Sequence, residues 1–332
     1  MTKFKDIYVS LIPKISLEVI NKIANLDLDD LIAMDCFNEQ QHLFIKRQLA
    51  ADSSRINNWL SLSENNYFLE YCDVLYPTLL KEIHDPPKYL FIKGDLSTLD
   101  YVSCAVVGCR YPRETSIIYS KLLAEILALN KVATVSGLAI GIDALIHENT
   151  IKYGGKTIAL LPCGINNIYP QINTQLSEKV TENGLLMSEF MLNYPVYRSN
   201  FVRRNRVITG LTKSLLIVEA EVNSGSWSSA MHAISQNKEV MVLPVPFNET
   251  HGLGNMALIK EGANVISNTK ELLENINIIN RQSKEKVFVR SFDSYIRNQN
   301  KELGDIFSDI IVQQKIYNNI NSGYGYEFMD LI

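Results

Sequence analysis

Residues 133–147 read ATVSGLAIGIDALIH, and this stretch decides the fold class. Its apolar, β-branched start is typical of a buried strand, and its end has the apolar spacing of a helix. Gly137 and Gly141 lie between the two, where the helix should begin. Because glycine costs about 0.5–1 kcal/mol relative to alanine inside a helix, its use here indicates a strand-to-helix turn that needs space around its backbone.

The same alternation of strand and helix continues on both sides of this stretch. Helical or polar segments separate the apolar runs VSCAVVG, KTIALLP, GLLMSEF, SLLIVEA, EVMVLPV and ANVIS. Continuous apolar strands with intervening helices indicate a parallel sheet that is covered on both faces. The sequence therefore predicts an α/β fold, an extended Rossmann-like doubly wound parallel sheet. In such folds, ligands bind at the carboxyl ends of the strands.

The regions that flank this core have different patterns. Residues 1–65 have helical periodicity throughout, which predicts a small N-terminal helical module. A lead-in segment rich in proline and glycine turn signals follows, and it does not have the composition of a flexible linker. We therefore expect a helical module at 1–65, a Rossmann-like domain at 66–280 and a short C-terminal appendix at 284–332.

Composition limits the classes of function. With 46% hydrophobic and 20% charged residues in 332, the chain is typical of a globular protein. No apolar run reaches the roughly 18 residues of a membrane span, and the N-terminal sequence lacks a signal peptide, so we expect a cytoplasmic protein without membrane association. The five cysteines show no C-x-x-C pair, which argues against disulfides and zinc. At a net charge of −4, a nucleic acid could be held only by a local basic patch.

Two neighbouring strand-end loops have features of an anion site. In the opening stretch, Gly137 and Gly141 lead into a helix N-terminus, whose free N–H groups favour a phosphate, and Ser136 adds a hydroxyl. The preceding strand ends with Gly108 and Arg110. The alternative is that the glycines only allow strand and helix to pack closely.

A third loop repeats this pattern. Asn223, Ser224 and Gly225 follow the strand SLLIVEA and precede a helix, so they are also candidates for phosphate binding.

The strongest local signal is RSNFVRRNRVITG, residues 198–210. It contains four arginines and no acidic residue, together with Phe201 and Asn205; the arginines are Arg198, Arg203, Arg204 and Arg206. Arginine binds phosphate through two parallel hydrogen bonds, and an aromatic ring can stack on an unpaired base. The segment therefore predicts a basic patch for nucleic acid, and the alternative is an ordinary solvated helix face.

Familiar catalytic patterns are absent from the sequence. There is no histidine motif for metal, no G-x-S-x-G elbow and no P-loop, and the glycine spacing does not fit a dinucleotide cofactor. These absences argue against a metal site, a dinucleotide cofactor and a conventional catalytic constellation. Glu189 and Glu219 close two strands and could act as bases or could orient arginines.

Several motifs in order resemble the DNA-processing protein A family (DprA, also called Smf). They are VVGCRYP, VSGLAIGIDALIHENTIKYGGKTIALLPCGINNIYP, SEF followed by NFVRRNRVITG, and GLGNMALIKEGA. The resemblance covers about residues 70–268. It implies a Rossmann-like fold that forms a homodimer, binds single-stranded DNA in a basic pocket and loads the RecA recombinase in natural transformation. It also implies no catalytic activity and no cofactor.

The resemblance also assigns site residues. The family's loop arginine corresponds to Arg110, its Ser-Gly loop to Ser136 and Gly137, and its Phe-x-x-Arg-Asn segment to a run that begins at Phe201. Two positions depart from the family pattern. Cys109 replaces a small polar residue, and Ile140 stands where arginine is common. The second change weakens each pocket, which makes binding through two pockets of a dimer more important.

Two other functions remain open at this stage. A nucleotide-hydrolysing enzyme related to the phosphoribohydrolases could use a similar core, although their G-G-x-G-T-x-x-E motif is absent here. A nucleotide-sensing module could hold a small phosphate ligand in the same pocket.

Overall fold

A computed structural model describes residues 54–244 and 252–276. Residues 54–61 are helical, but the rest of the helical module predicted for 1–65 lies almost entirely outside the described residues. The appendix predicted for 284–332 also lies outside them.

Besides the helical residues 54–61, the described core contains nine strands and eight α-helices. The strands are β1 (Asn66–Glu70), β2 (Tyr89–Gly94), β3 (Ser103–Val107), β4 (Ala133–Ser136), β5 (Thr157–Leu160), β6 (Gly184–Ser188), β7 (Ser214–Ile217), β8 (Glu239–Val242) and β9 (Asn264–Val265). The helices are α1 (Thr78–Lys81), α2 (Glu114–Leu129), α3 (Ile142–Lys152), α4 (Thr174–Asn183), α5 (Arg198–Gly210), α6 (Gly225–Ser235), α7 (Leu253–Lys260) and α8 (Thr269–Asn275).

All nine strands belong to one sheet in the order β1-β2-β6-β5-β4-β3-β7-β8-β9. The seven strands from β3 onward are parallel to one another, as predicted. The lead-in segment adds β1 and β2, which pair antiparallel with each other, and β2 pairs antiparallel with β6. The sheet is therefore mixed, and its antiparallel edge was not predicted from the sequence.

Helices cover both faces of the sheet, which confirms the doubly wound architecture. On β3, Ala105 and Val107 pack on one face, and Cys104 and Val106 pack on the other, as the two-residue period of a strand requires. The first face is covered by α1, α5, α6 and α7. The second is covered by α2, α3, α4 and α8.

The strand order reverses beside β3. The chain moves outward through β4, β5 and β6, and α5 then carries it back across the sheet to β7 on the other side of β3. Ligands of open α/β sheets bind outside the carboxyl ends of the strands at such a switch point. Within the described residues, no helix is both long and apolar enough to cross a membrane.

Candidate nucleic-acid interface

The loops after β3, β4, β5, β6 and β7 meet at the carboxyl edge of the sheet because these strands are parallel. All of these loops except the one after β5 carry at least one residue singled out from the sequence. The side chains divide into two groups, one that holds the loops in place and one that faces solvent.

The backbone of the loop after β4 binds a carboxylate of the protein itself. The Asp143 carboxylate, on the first turn of α3, accepts hydrogen bonds from the backbone N–H groups of Gly137 (3.1 Å) and Ala139 (3.4 Å). Burial raises the pKa of Asp143, while the nearby positive charge of Arg204 lowers it. Two amides of the loop that was expected to receive a phosphate are therefore already hydrogen-bonded within the protein.

Arg204 supplies the opposite charge in this interior. It is 5% exposed, and its Nη1 donates to the carbonyl oxygens of Gly137 (2.5 Å) and Leu160 (2.7 Å). Burial lowers the pKa of Arg204 to about 10, and the Asp143 carboxylate raises it, so the guanidinium is charged at neutral pH. Arg204 therefore ties α5 to the ends of β4 and β5, and its inclusion in an exposed patch was wrong.

The two glycines of the opening stretch have packing roles. A Cβ on Gly137 would lie 2.0 Å from Nη1 of Arg204. Gly141 has a φ of +83°, and a Cβ there would lie 2.5 Å from the carbonyl oxygens of Cys109 and Arg110. The alternative of close packing thus accounts for both positions without a ligand.

The neighbouring residues Gly108 and Ser136 also face the interior of the edge. A Cβ on Gly108 would lie 2.4 Å from the side chain of Ile142 at the start of α3. The Ser136 hydroxyl is fully buried and donates to the carbonyl oxygen of Val106 at 2.7 Å. Both residues therefore join the loops after β3 and β4 to the core.

Arg206 is the second arginine that the structure buries, again contrary to the expected exposed patch. Its guanidinium binds the Glu189 carboxylate and the carbonyl oxygen of Asp85, and its Nε lies 3.4 Å from the Asp85 carboxylate. Glu189 also accepts a hydrogen bond from Nε of Arg203 at 3.2 Å. Burial raises the pKa of Glu189, and the two arginines lower it. Of the two roles left open for Glu189, the geometry fits the orientation of arginines.

The loop before α6 is organised by local hydrogen bonds. Ser224 caps the helix, since its hydroxyl accepts from the N–H of Trp227 at 3.2 Å, and the exposed Asn223 has a φ of +62°. Asn205, which is buried on α5, donates through Nδ2 to the carbonyl oxygen of Gly225 at 3.1 Å. Asn205 therefore positions this loop, whereas Asn223 and Gly225 are exposed to solvent.

The solvent-facing group consists of arginines beside aromatic rings. The guanidinium of the exposed Arg110 lies 5.4 Å from the ring centroid of Phe201. Phe201 also contacts the Tyr169 ring edge to face, with the two ring centroids 5.7 Å apart. Arg203, with 60% of its side chain exposed, lies 5.5 Å from the ring of Phe190. We call Arg110, Tyr169, Phe201 and Arg203 the rim.

Tyr169 is the member of the rim that was not predicted from the sequence. It is 40% exposed in the loop after β5. Its only signal in the sequence is an aromatic residue at a strand-end loop, in INNIYP.

His147 and Cys109, which lie near the site, lack the properties of catalytic groups. His147 is fully buried, its Nδ1 lies 2.6 Å from the Thr157 hydroxyl, and burial lowers its pKa to about 3. Burial, with the nearby Glu219 carboxylate, raises the pKa of the Cys109 thiol to about 12. Residues 54–244 and 252–276 contain no cluster of three or more histidine, cysteine or acidic side chains that could hold a metal ion.

Comparison with known proteins identifies related sequences. The family model of DNA recombination-mediator protein A matches residues 67–277. Protein Smf of Escherichia coli is 38% identical over 219 residues, which are 66% of this chain and 58% of that protein. DNA processing protein DprA of Bacillus subtilis is 31% identical over 251 residues, 75% of this chain and 82% of that protein. The chain thus spans somewhat more than half the length of the E. coli relative.

Two solved structures have the same architecture. The X-ray structure of DNA processing protein A from Streptococcus pneumoniae superposes with a TM-score of 0.70 at 26% identity, covering 82% of this chain and 98% of that one. That of Helicobacter pylori, described as having a unique single-stranded DNA binding mode, has a TM-score of 0.58 at 33% identity. It covers 64% of this chain and 95% of the other.

Proposed function

The chain belongs to the family of DNA recombination-mediator protein A, and we propose that it binds single-stranded DNA along the rim. The observation that carries this proposal is the group formed by Arg110, Phe201 and Tyr169. These residues come from three different segments of the chain and meet at the carboxyl edge of the sheet. The H. pylori relative, for which single-stranded DNA binding is described, supports the same assignment.

The chemistry of the rim suits an unpaired strand. Arg110 and Arg203 offer guanidinium groups to backbone phosphates, and Phe201 and Tyr169 offer rings to the bases. Because every base has an aromatic face, such binding tolerates any sequence. It also disfavours duplex DNA, whose bases are already stacked on each other.

The interior of the site keeps this surface in place. Arg204 fixes the loops after β4 and β5, and Glu189 holds Arg203 by one carboxylate oxygen. We therefore assign Arg204, Arg206, Asn205, Ser136 and the glycines to positioning, and the contacts with DNA to the exposed side chains.

The proposal includes the further steps that the family resemblance implies. The protein acts in the cytoplasm as a homodimer, without catalysis, and loads RecA onto the bound strand during natural transformation. A dimer offers two rims, so oligonucleotides long enough to reach both should bind much more tightly than short ones. Light scattering, a series of oligonucleotide lengths and a RecA filament assay on strands coated with single-strand-binding protein test these steps.

Two substitutions test the rim directly by fluorescence anisotropy with labelled oligonucleotides. Arg110→Ala should lower affinity for all sequences alike and make the dependence of log affinity on log salt shallower by about 0.7, since one phosphate contact is lost. Phe201→Ala should weaken binding by about 1–3 kcal/mol with little change in that slope, because it removes stacking.

The control residues lie at the amino ends of the parallel strands, away from the rim. Lys213 precedes β7 and Tyr101 precedes β3, and both are exposed, so Lys213→Ala and Tyr101→Ala should leave binding unchanged. Equal binding by the wild type and both rim variants would refute the proposal. Release of free base from nucleoside monophosphates would contradict its non-catalytic part.

A further inference from the structure

A second pair of aromatic rings lies beside the rim, in the loop between β6 and α5. Tyr197, the residue that precedes α5, is 53% exposed. Its ring lies 5.7 Å from that of Tyr194, with the planes at 70°. A half-exposed tyrosine that packs on only one side against another ring leaves aromatic surface open to solvent.

Tyr194 is fixed by a ring contact and by two hydrogen bonds to its carbonyl oxygen. Its ring stacks on Phe190, with centroids 5.4 Å apart and planes at 20°. Its carbonyl oxygen accepts hydrogen bonds from the N–H of Gly164 (2.9 Å) and from Nδ2 of Asn167 (3.0 Å), both in the loop after β5. The exposed Tyr197 therefore rests on an ordered support, so little conformational freedom is lost when a ligand binds it.

Packed rings connect this pair with the rim. Tyr194, which contacts Tyr197, stacks on Phe190, and the guanidinium of the rim residue Arg203 lies 5.5 Å from the Phe190 ring. Tyr197 has an extended backbone and directly precedes α5, and the exposed Arg198 is the first residue of that helix. The start of α5 thus carries an exposed aromatic ring and an exposed guanidinium a few residues before Phe201.

We propose that Tyr197 forms a second base-stacking subsite, which takes the nucleotide next to the one stacked on Phe201. Arg198 lies where it can bind a phosphate of the same strand. The ligand class is an unpaired nucleotide of any base, since stacking recognises the ring rather than its edges. This inference rests on the proposed binding of single-stranded DNA and extends the rim from one stacked nucleotide to two.

A strand with one abasic position tests the subsite. A short oligonucleotide is prepared as a series in which a single abasic residue moves along the strand, and binding of each member is measured with wild type, Phe201→Ala and Tyr197→Ala. In the wild type, two adjacent abasic positions should each weaken binding by about tenfold, as expected when one stacked base is lost. Phe201→Ala should abolish the sensitivity at one position, and Tyr197→Ala at its neighbour.

Further variants separate stacking from structural damage. Tyr197→Phe keeps the ring and should bind as the wild type does, and Arg198→Ala should make the salt dependence shallower by one phosphate contact. Tyr101→Ala removes an exposed tyrosine at the opposite edge of the sheet and should keep both abasic sensitivities. Thermal unfolding of each variant verifies that the fold is retained.

The possible failures are distinct. If Tyr197→Ala binds normally and keeps both abasic sensitivities while Phe201→Ala loses one, the second subsite is refuted and the rim stands. If neither Phe201→Ala nor Arg110→Ala weakens binding, the proposed function itself is refuted. Loss of affinity in Tyr197→Phe equal to that in Tyr197→Ala would also overturn the subsite, because the phenyl ring can still stack.

Discussion

Helix α5 uses the same residue type for two different purposes. Arg204 and Arg206 are buried and bind carbonyl and carboxylate oxygens of the protein. Arg198 and Arg203 are exposed. Four arginines that look equivalent in the sequence therefore form two groups, one that supports the loops and one that is available to a ligand.

The energetic consequences of the two groups differ. A buried guanidinium satisfies buried acceptors, and its loss leaves an opposite charge without compensation, which typically costs about 3–5 kcal/mol. An exposed arginine is screened by water, and its pairing contributes about 0–1 kcal/mol. The buried arginines should therefore control stability, and the exposed ones should control affinity for DNA.

The largest expected effect follows from removal of Arg204. Arg204→Ala leaves the Asp143 carboxylate and the carbonyl oxygens of Gly137 and Leu160 without this partner. We expect it to lower the free energy of unfolding by about 3–5 kcal/mol, measured by urea denaturation. Arg203→Ala, one residue away but exposed, should change it by less than about 1 kcal/mol.

Under conditions where both variants are folded, Arg203→Ala should bind DNA more weakly than Arg204→Ala does. Arg203→Ala removes a group of the rim, so it should make the salt dependence of binding shallower. If Arg203→Ala were as destabilising as Arg204→Ala, the distinction between the buried and the exposed arginines of α5 would not hold.

The sequence predicted the parallel part of the sheet well, because β3 to β9 are local apolar runs separated by helices. The antiparallel edge was missed. β1 and β2 lie in a segment marked by Pro77, Pro86 and Pro87, which indicate turns, and the pairing of β2 with β6 joins residues almost a hundred positions apart. Local pattern contains no information about such a pairing.

The candidate site was predicted only in part, for a related reason. Arg110 and Phe201 were both singled out, and the structure places them in contact. The burial of Arg204 and Arg206 could not be predicted, because helical periodicity identifies buried positions by apolar residues, and these two buried positions are arginines. Their partners, such as Leu160 and Glu189, come from distant strands.

A second expected effect concerns His147, which belongs to the same buried region. Its pKa is lowered to about 3, first by burial and then by the charge of Arg204, whereas an unfolded histidine has a pKa near 6.5. As pH falls below about 6.5, the unfolded chain therefore binds a proton that the folded protein does not. Stability should decrease by about 1.4 kcal/mol per pH unit from this group, down to about pH 3.

The measurement compares unfolding of the wild type and His147→Gln by urea at pH 7 and at pH 5. The advantage of the wild type over the variant should shrink by about 2 kcal/mol on acidification, since only the wild type has the buried histidine. His84 is exposed and is the matched control, because His84→Gln should retain the wild-type pH dependence. An unchanged difference between wild type and His147→Gln would contradict a neutral buried imidazole.

The smallest of these effects tests the packing role of Gly137. A Cβ there would lie 2.0 Å from Nη1 of Arg204, so Gly137→Ala must displace the guanidinium, and we expect a loss of about 1–3 kcal/mol in urea denaturation. Gly225→Ala is the matched control, because a Cβ at Gly225 meets open space. If the cost arises from this collision, Gly137→Ala combined with Arg204→Met should destabilise by less than the sum of the two single changes. Additive losses would instead mean that Gly137 matters for a reason independent of Arg204, and the proposed link between the loop after β4 and Arg204 would fail.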